Sequence, residues 1–341
     1  MDRAISGGKL AVYSFAHFWV DFSCALIIFS RLADLEAAPL LALAYNFCAF
    51  ALQMPIGLIA DRISRNSCVA ALGCGLVAAA WLLPASPWAC VAVAGIGNGC
   101  FHVGGGVDVL NGCGRKARAL GIFVCPGAMG IYLGTIMGTA GAVPPWASAA
   151  WLLAFGALFP IMDMLDGGLD SRNAPLDLDV DGDRLAALAC CFAAVVVRSY
   201  IGVSADFPWK AGAWSAIATC GVVAGKACGG FVADRLGTRR GVAITMGLSA
   251  VLFLMGGNRW AGAAAIFLFN MSMPATLQGA ATMLPGAKGF SFGLLTVALF
   301  LGYVPACLGL PGLPGGMPAY AALAAACLGA LLWGLKKGGI R

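Results

Sequence analysis

Long apolar stretches that are almost free of charged residues constrain the fold of this chain more than any other feature. Of its 341 residues, 61% are hydrophobic and 11% are charged, and the mean hydropathy is +0.89. Soluble domains carry roughly 25% charged residues, whereas a bilayer core requires runs of about 20 apolar residues. We therefore predict an all-α polytopic membrane protein, which excludes a soluble enzyme, a nucleic-acid-binding domain and a disordered chain.

Twelve apolar runs are separated by short linkers in which proline and glycine cluster. The predicted spans are 10–33, 38–60, 67–84, 87–111, 119–141, 145–165, 185–205, 211–233, 241–258, 260–283, 289–310 and 317–335. The longest linker is acidic and lies between the sixth and seventh spans. We therefore divide the chain into an N-terminal six-helix bundle (1–165), an acidic cytoplasmic linker (166–184) and a C-terminal six-helix bundle (185–341).

The positions of lysine and arginine indicate how the chain is oriented. Of 21 such residues, 16 fall at one end of the predicted spans, three at the other, and Arg198 and Lys226 fall within spans. Lysine and arginine accumulate in cytoplasmic loops. We therefore expect both termini in the cytoplasm and the chain in the cell membrane. The net charge of +6 reflects this asymmetry and indicates no nucleic-acid partner.

The 14 cysteines indicate neither a disulfide framework nor a metal site. Nearly all lie within apolar runs, where cysteine behaves as a small hydrophobe, and no Cys-x-x-Cys spacing occurs. The segment from Asp177 to Gly182 begins like a calcium-binding loop, but its twelfth position is Leu188 rather than glutamate. We therefore predict no metal ion and no cofactor.

One short motif occurs twice, at symmetric positions in the chain. Residues 57–65 read GLIADRISR between the second and third spans, and residues 230–240 read GFVADRLGTRR between the eighth and ninth. The copies are 173 residues apart, about half of the chain. This spacing predicts two parallel six-helix halves, and repeats of this kind meet at an interface that holds a substrate near the membrane midplane.

The repeated motif resembles the G-x-x-x-D-R-x-G-R-R loop of the major facilitator superfamily, with Ser64 replacing the usual glycine of the first copy. The resemblance implies twelve transmembrane helices in two pseudo-symmetric six-helix halves, and a cytoplasmic latch that opens during alternating access. An aspartate at the end of a span can also cap the N-terminus of a neighbouring helix. Asp108 is expected to pair with Arg62 or Arg65. The candidate gating residues are Asp61, Arg62, Arg65, Asp108, Asp234 and Arg235.

The fifth span contains a partial second motif. Residues 121–130 read GIFVCPGAMG, which is similar to the antiporter motif of the same superfamily except that Cys125 and Met129 replace glycines. The segment is either a kinked packing face rich in glycine or a functional remnant of that motif. The sequence leaves both interpretations open.

Polar residues inside the spans are candidates for substrate binding, because charges in a bilayer are costly and usually functional. Gln53 and Lys226 each precede a motif aspartate by eight residues, which places them about 12 Å from the latch. Arg198 lies roughly 20 Å into the seventh span, and its guanidinium group suits a carboxylate or phosphate. Asn98 and Asn270 occupy nearly symmetric positions on the fourth and tenth spans.

Two pairs of polar residues repeat a spacing of four on the first and fourth spans, which line the central cavity in the fold that the resemblance implies. His17 and Asp21 share one face of the first span, and Asn98 and His102 share one face of the fourth. A carboxylate beside an imidazole provides a proton acceptor that can titrate near neutral pH. We therefore predict Asp21, His17 and His102 as the residues that couple transport to protons.

Together these residues predict a monomeric secondary active transporter, not an enzyme, that moves a small anion by alternating access with proton coupling. Arg198 and Lys226 outnumber the one central carboxylate, Asp21, and a positive excess at low dielectric attracts an anion. If Asp21 neutralises Arg198, a hydrophobic drug/proton antiporter becomes the better interpretation. More remote alternatives are a channel and an enzyme that uses the histidines and aspartates of spans one and four as a metal or acid–base site.

Overall fold

The computed structural model describes residues 5–166 and 173–340, and all regular secondary structure in these ranges is helical. The helices are α1 (Gly7–Arg31), α2 (Ala38–Asn46), a π-helical turn (Phe47–Ala51), α3 (Gln53–Ile63), α4 (Asn66–Ala80), α5 (Pro87–Gly112), α6 (Arg118–Val124), α7 (Pro126–Thr139), α8 (Pro145–Leu165), α9 (Gly182–Ser204), α10 (Ala213–Leu236), α11 (Thr238–Leu254), α12 (Arg259–Asn270), α13 (Ser272–Met283), α14 (Lys288–Cys307) and α15 (Gly316–Lys337). Part of the predicted linker, with Asp170 and Arg172, lies outside the described residues, as do Arg3 and Arg341 from the charge count.

Ten helical segments within the described residues are long and apolar enough to cross a bilayer. The predicted third and ninth spans coincide with α4 and α11, which have only 15 and 17 residues. A helix of 15 residues is about 22 Å long, which is shorter than a hydrocarbon core of about 30 Å. The all-helical architecture is therefore confirmed, whereas the count of twelve spans stays a prediction.

Three of the ten segments each contain two α-helices, and in the first of them a π-helical turn lies between the two. They are Ala38–Ile63, Arg118–Thr139 and Arg259–Met283. In the second, α6 ends at Val124 and α7 begins at Pro126, because proline lacks the backbone N–H that would continue the hydrogen-bond ladder. The break lies within the partial antiporter motif and separates its two ends.

The helices form two compact units, and each unit is assembled from discontinuous parts of the chain. Unit 1 contains Met1–Gly114, Pro126–Asp177 and Gly286–Val297, and unit 2 contains Arg115–Cys125, Leu178–Pro285 and Ala298–Arg341. The chain passes from unit 1 to unit 2 at residue 178, inside the predicted linker. The sequence did not predict that residues 115–125 group with unit 2 and residues 286–297 with unit 1.

Unit 1 is held together by helices that approach each other closely at glycines. α1 packs against α7 and α5, and α4 packs along α5. A Cβ atom added to Gly73 would lie 2.3 Å from the backbone nitrogen of Phe101, and one at Gly130 would lie 2.4 Å from the carbonyl oxygen of Phe18. Small residues at such contacts allow helices in a bilayer to maximise van der Waals packing. This packing fixes the relative positions of α1, α5 and α7.

The helices of unit 2 also approach each other closely at glycine. α9 packs against α15 and α13, while α10 packs against α12, α11 and α6. A Cβ atom at Gly225 of α10 would lie 2.2 Å from the carbonyl oxygen of Phe267 on α12. Arg198 on α9 therefore faces α13 within a tightly packed bundle.

Candidate functional site

Three titratable side chains of unit 1 converge near the middle of α1 and α5. His17 Nε2 lies 3.3 Å from Asp21 Oδ2 and 2.8 Å from His102 Nε2, and His102 Nε2 lies 3.8 Å from Asp21 Oδ1. All three side chains are buried, with 5–8% of their surface exposed. The sequence placed His17 and Asp21 on one face of the first span and His102 on the fourth span. The structure brings the three side chains together, and we call them the His–Asp cluster.

Asn98 orients two members of the His–Asp cluster. Its backbone oxygen lies 2.9 Å from His102 Nδ1, and its side-chain Nδ2 donates to Asp21 Oδ1 at 2.8 Å. A carbonyl oxygen can only accept, so Nδ1 of His102 donates in this hydrogen bond and Nε2 of the ring faces His17 and Asp21. Asn98, predicted as a substrate ligand, thus lies beside the residues predicted for proton coupling.

The first turn of α7 lies directly against the His–Asp cluster. A Cβ atom added to Gly127 would lie 2.3 Å from Asp21 Oδ2 and 2.4 Å from His17 Nε2. Glycine is therefore the residue that lets this backbone approach the cluster. Of the two interpretations of the partial motif in span five, this contact supports the glycine packing face.

The first copy of the repeated motif caps the N-terminus of α14. Asp61 Oδ1 accepts from the backbone N–H of Gly289 at 2.8 Å, and Oδ2 accepts from that of Phe290 at 2.9 Å. These N–H groups belong to the first turn, where a helix leaves its donors unpaired and carries a partial positive charge. Gly57 permits the approach, because a Cβ atom there would lie 2.1 Å from the carbonyl oxygen of Gly289.

The second copy makes the equivalent contact with the N-terminus of α6. Asp234 Oδ1 accepts from the N–H of Ala117 at 2.6 Å, and Oδ2 lies 3.4 Å from the N–H of Arg118. A Cβ atom at Gly230 would lie 2.5 Å from the carbonyl oxygen of Ala117. These two caps are among the contacts that join residues 286–297 to unit 1 and residues 115–125 to unit 2.

The partner predicted for Asp108 was wrong. Its Oδ2 lies 3.0 Å from Nζ of Lys9, which also contacts Asp163. Arg62 and Arg65 are exposed, and neither forms an ion pair with any described residue. The amine of Lys9 reaches from the first turn of α1 to the half-buried Asp108 and the buried Asp163, whereas both arginines are exposed. Asp108 therefore belongs to a charge network inside unit 1.

Sequence reasoning missed the polar groups that complete this network. The Tyr13 hydroxyl donates to Asp108 at 2.8 Å, and Asn66 Nδ2 donates to the same carboxylate at 3.1 Å. Asn66 also donates to Asn173, whose own amide donates to the Ala60 carbonyl at 3.0 Å. Lys9 and Tyr13 are four residues apart on α1, and this spacing could have indicated that both side chains lie on one face of the helix. Asn173 thus ties part of the predicted linker to α3 and α4 of unit 1.

Arg198 of unit 2 is a buried cation with neutral partners. Its Nη1 lies 3.4 Å from Ser272 Oγ and 3.3 Å from Thr276 Oγ1, both on α13. Only 7% of the residue is exposed, and among the described residues of unit 2 no carboxylate lies within ion-pair distance. A buried charge that only hydroxyls solvate is costly. An oppositely charged partner would lower this cost.

The other predicted substrate ligands occupy less distinctive surroundings. Gln53 is fully buried, and its amide donates to the Ala49 carbonyl one turn earlier at 2.6 Å. Asn270 donates in the same way to the carbonyl of Ile266 at 2.9 Å. Lys226 lies half-buried on α10. The structure does not bring Gln53 or Asn270 to the polar clusters described above, and their roles stay predictions.

Comparison with known proteins identifies the fold. No family model matches the chain, and neither does any curated protein. Solved structures match it over nearly its full length: a variant of the E. coli fucose:proton symporter FucP (TM-score 0.61, 13% identity, 97% of this chain and 98% of that chain), the human organic anion transporter MFSD10 (0.63, 15%, 95% and 99%) and a bacterial homologue of the iron transporter ferroportin (0.60, 13%, 97% and 98%). The chain has the fold of major facilitator superfamily transporters.

The major facilitator fold also accounts for the apolar helices. Ten candidate spans and full-length transporter neighbours together indicate a multi-pass membrane protein. At 13–15% identity, these neighbours show the fold of this chain alone. The three named proteins handle a sugar, an organic anion and, by homology, iron. The fold therefore leaves the solute open, because function depends on the site and not on the fold.

Proposed function

We propose that this protein is a secondary active transporter that moves a small solute across the cell membrane by alternating access. The observation that carries this proposal is the full-length similarity to major facilitator transporters, combined with two equivalent aspartate caps at Asp61 and Asp234. A channel does not need a pair of such caps. In this proposal α4 and α11 are the third and ninth of twelve spans, and the transporter works as a monomer.

The proposed orientation places both chain termini in the cytoplasm. It rests on the excess of lysine and arginine at one end of the predicted spans. In this proposal two basic pairs lie on the cytoplasmic side. One is Lys336 and Lys337 at the end of α15, and the other is Arg115 and Lys116 just before α6. Labelling of a single cysteine at position 116 by an impermeant reagent applied from outside the cell would contradict the orientation.

We propose further that the solute is a small anion, such as a carboxylate or a phosphate-like species. Arg198 supports this, because its buried guanidinium contacts only the hydroxyls of Ser272 and Thr276 within the described part of unit 2. An anion there would offer the guanidinium an ionised acceptor, which binds more strongly than the neutral hydroxyls do. Lys226, on α10 of the same unit, adds a second positive charge.

The drug/proton antiporter alternative required Asp21 to neutralise Arg198. Asp21 instead has His17, His102 and Asn98 as partners within unit 1. These contacts favour the anion over the hydrophobic drug as substrate. Proton coupling through Asp21, His17 and His102 stays a prediction.

The test of this proposal is uptake into liposomes that contain the purified protein. Saturable uptake with counterflow supports a carrier, whereas ohmic current indicates a channel and chemical turnover an enzyme. For a transported anion, Arg198→Gln should reduce uptake at least about tenfold, the factor that corresponds to roughly 1.4 kcal/mol of lost binding. Arg259→Gln is the matched control, because this exposed arginine of unit 2 lies at the first residue of α12. Unchanged uptake in Arg198→Gln would refute the anion proposal.

A further inference from the structure

We propose that His17, Asp21 and His102 form a binding site for a divalent transition-metal ion in unit 1. Two imidazole nitrogens and one carboxylate point into one volume, and their ligand atoms all lie within 4.8 Å of one another. His17 and Asp21 lie on α1 and His102 on α5, each within a few residues of the middle of its helix. This proposal goes beyond anion transport, because Arg198 belongs to unit 2.

The distances in the His–Asp cluster match those between ligands of one metal ion. For Zn–N bonds of about 2.0–2.1 Å in tetrahedral geometry, neighbouring ligand atoms are about 3.3 Å apart. The separations are 2.8 Å between Nε2 of His17 and Nε2 of His102, 3.3 Å from His17 Nε2 to Asp21 Oδ2, and 3.8 Å from His102 Nε2 to Asp21 Oδ1. Each separation lies within about 0.5 Å of the tetrahedral spacing.

Asn98 supplies the hydrogen bonds that typically support metal ligands. A histidine ligand usually donates its second ring N–H to a carbonyl or carboxylate, and a carboxylate ligand is itself hydrogen-bonded. Here the Asn98 carbonyl accepts from His102 Nδ1 at 2.9 Å, and the Asn98 amide donates to Asp21 Oδ1 at 2.8 Å. One residue thus orients both the imidazole ring of His102 and the carboxylate of Asp21.

The chemistry of the donors indicates which ions the site takes. Imidazole ligands suit zinc, iron, copper and nickel, whereas magnesium and calcium prefer oxygen ligands alone. Three protein ligands leave at least one coordination position open, which is typical of exchangeable and catalytic sites rather than structural ones. A dication beside a single carboxylate, Asp21, retains one positive charge. An anionic ligand from solution at the open position would neutralise it.

Gly127 provides a way to block this site without removing a ligand. Its Cα lies against the cluster, and a Cβ atom there would come within 2.3 Å of Asp21 Oδ2 and 2.4 Å of His17 Nε2. An added methyl group therefore displaces two of the three ligand atoms. Gly75 on α4 of the same unit is the matched control, because a Cβ atom there meets nothing within 4 Å.

The two histidines of the cluster are the only histidines in the chain, which makes the site directly identifiable. The experiment uses full-length protein purified through a tag without histidine, with Zn²⁺ or Co²⁺ as the only added ligand. We expect one equivalent to bind, with an X-ray absorption spectrum showing two imidazoles and metal–nitrogen distances of about 2.0–2.1 Å. Any imidazole signature comes from His17 and His102.

The variants complete the test. We expect His102→Gln, Asp21→Asn and Gly127→Ala each to weaken binding at least about 100-fold, and Asn98→Ala about 10- to 100-fold, as for groups that support a ligand. Gly75→Ala should bind as the parent does. If a variant fails to fold, the spectrum of the parent protein still decides. The absence of saturable binding, a sulfur shell near 2.3 Å that indicates the cysteines, or full binding by His102→Gln would each overturn the proposal.

Discussion

The two copies of the repeated motif make the same contact in different surroundings. Asp61 is buried, with 5% of its surface exposed, and its two oxygens accept at 2.8 and 2.9 Å. Asp234 is exposed, and its contacts are unequal, at 2.6 and 3.4 Å. Water competes for an exposed carboxylate and weakens its hydrogen bonds. The first cap therefore stabilises its unit more than the second, although the motifs read almost alike.

The turn that follows each aspartate is more strained in the first copy than in the second. Ser64 follows Asp61 by three residues and has a φ of 51°, the one positive φ outside glycine in the described residues. Gly237 follows Asp234 by the same interval, with a φ of 83°. Positive φ costs a residue with a Cβ atom about 1–2 kcal/mol and costs glycine little. The first copy thus combines the stronger cap with the more strained turn.

The largest effect should come from removing the glycines that allow the caps to form. Gly57→Ala and Gly230→Ala each force a methyl group onto the backbone of a helix start, at 2.1 and 2.5 Å from a carbonyl oxygen. Because backbone cannot move aside, we expect destabilisation of about 3 kcal/mol or more in both. The measurement is thermal unfolding in detergent. Gly75→Ala and Gly202→Ala are controls with nothing within 4 Å, and equal melting of all four variants would contradict this packing.

The next effect distinguishes the two caps directly. Asp61→Asn loses the charge on a buried acceptor and should cost about 2 kcal/mol, whereas Asp234→Asn at an exposed helix end should cost about 1 kcal/mol or less. Asp61→Asn should also slow transport more than it weakens solute binding, because the cap is proposed to act in gating. Melting curves measure the loss of stability, and uptake kinetics measure the effect on transport rate and solute binding. If Asp234→Asn is the more destabilised variant, the ranking by burial is wrong.

A smaller effect, of opposite sign in the two copies, tests the strain at the turn. Ser64→Gly should stabilise the protein by about 1 kcal/mol, and Gly237→Ser should destabilise it by a similar amount. Both substitutions leave Asp61 and Asp234, which cap α14 and α6, unchanged. Relative melting temperatures of the two single variants provide the measurement. A lower melting temperature for Ser64→Gly would show that its side chain contributes a contact that outweighs the strain.

The smallest effect is expected at the motif arginines. Arg62→Gln and Arg65→Gln alter exposed side chains without an ion pair among the described residues, so the stability should change by no more than about 0.5 kcal/mol. Lys9→Gln is the contrast, because its amine lies between Asp108 and Asp163. It should destabilise by about 3 kcal/mol or more, since a buried carboxylate loses its counter-ion. Equal effects of the three substitutions would contradict the corrected partner of Asp108.

The sequence predicted those parts of the site that depend on local periodicity. The apolar runs predicted the helices, and a spacing of four placed His17 and Asp21 on one face of α1. The repeat predicted an aspartate at the end of a span in each half, at Asp61 and Asp234. These predictions held because helix geometry relates neighbours in sequence to neighbours in space.

The contacts between helices distant in sequence came only from the tertiary structure. These contacts join residues that are 85 to 228 positions apart in the chain. They are the approach of His102 to His17, the pairing of Asp108 with Lys9, and the caps on α14 and α6. Such pairings depend on which small residues let two helices touch, as Gly57, Gly230 and Gly127 do. Apolar periodicity shows which residues are helical and buried, but it is nearly the same on every span, so it does not specify which helices meet.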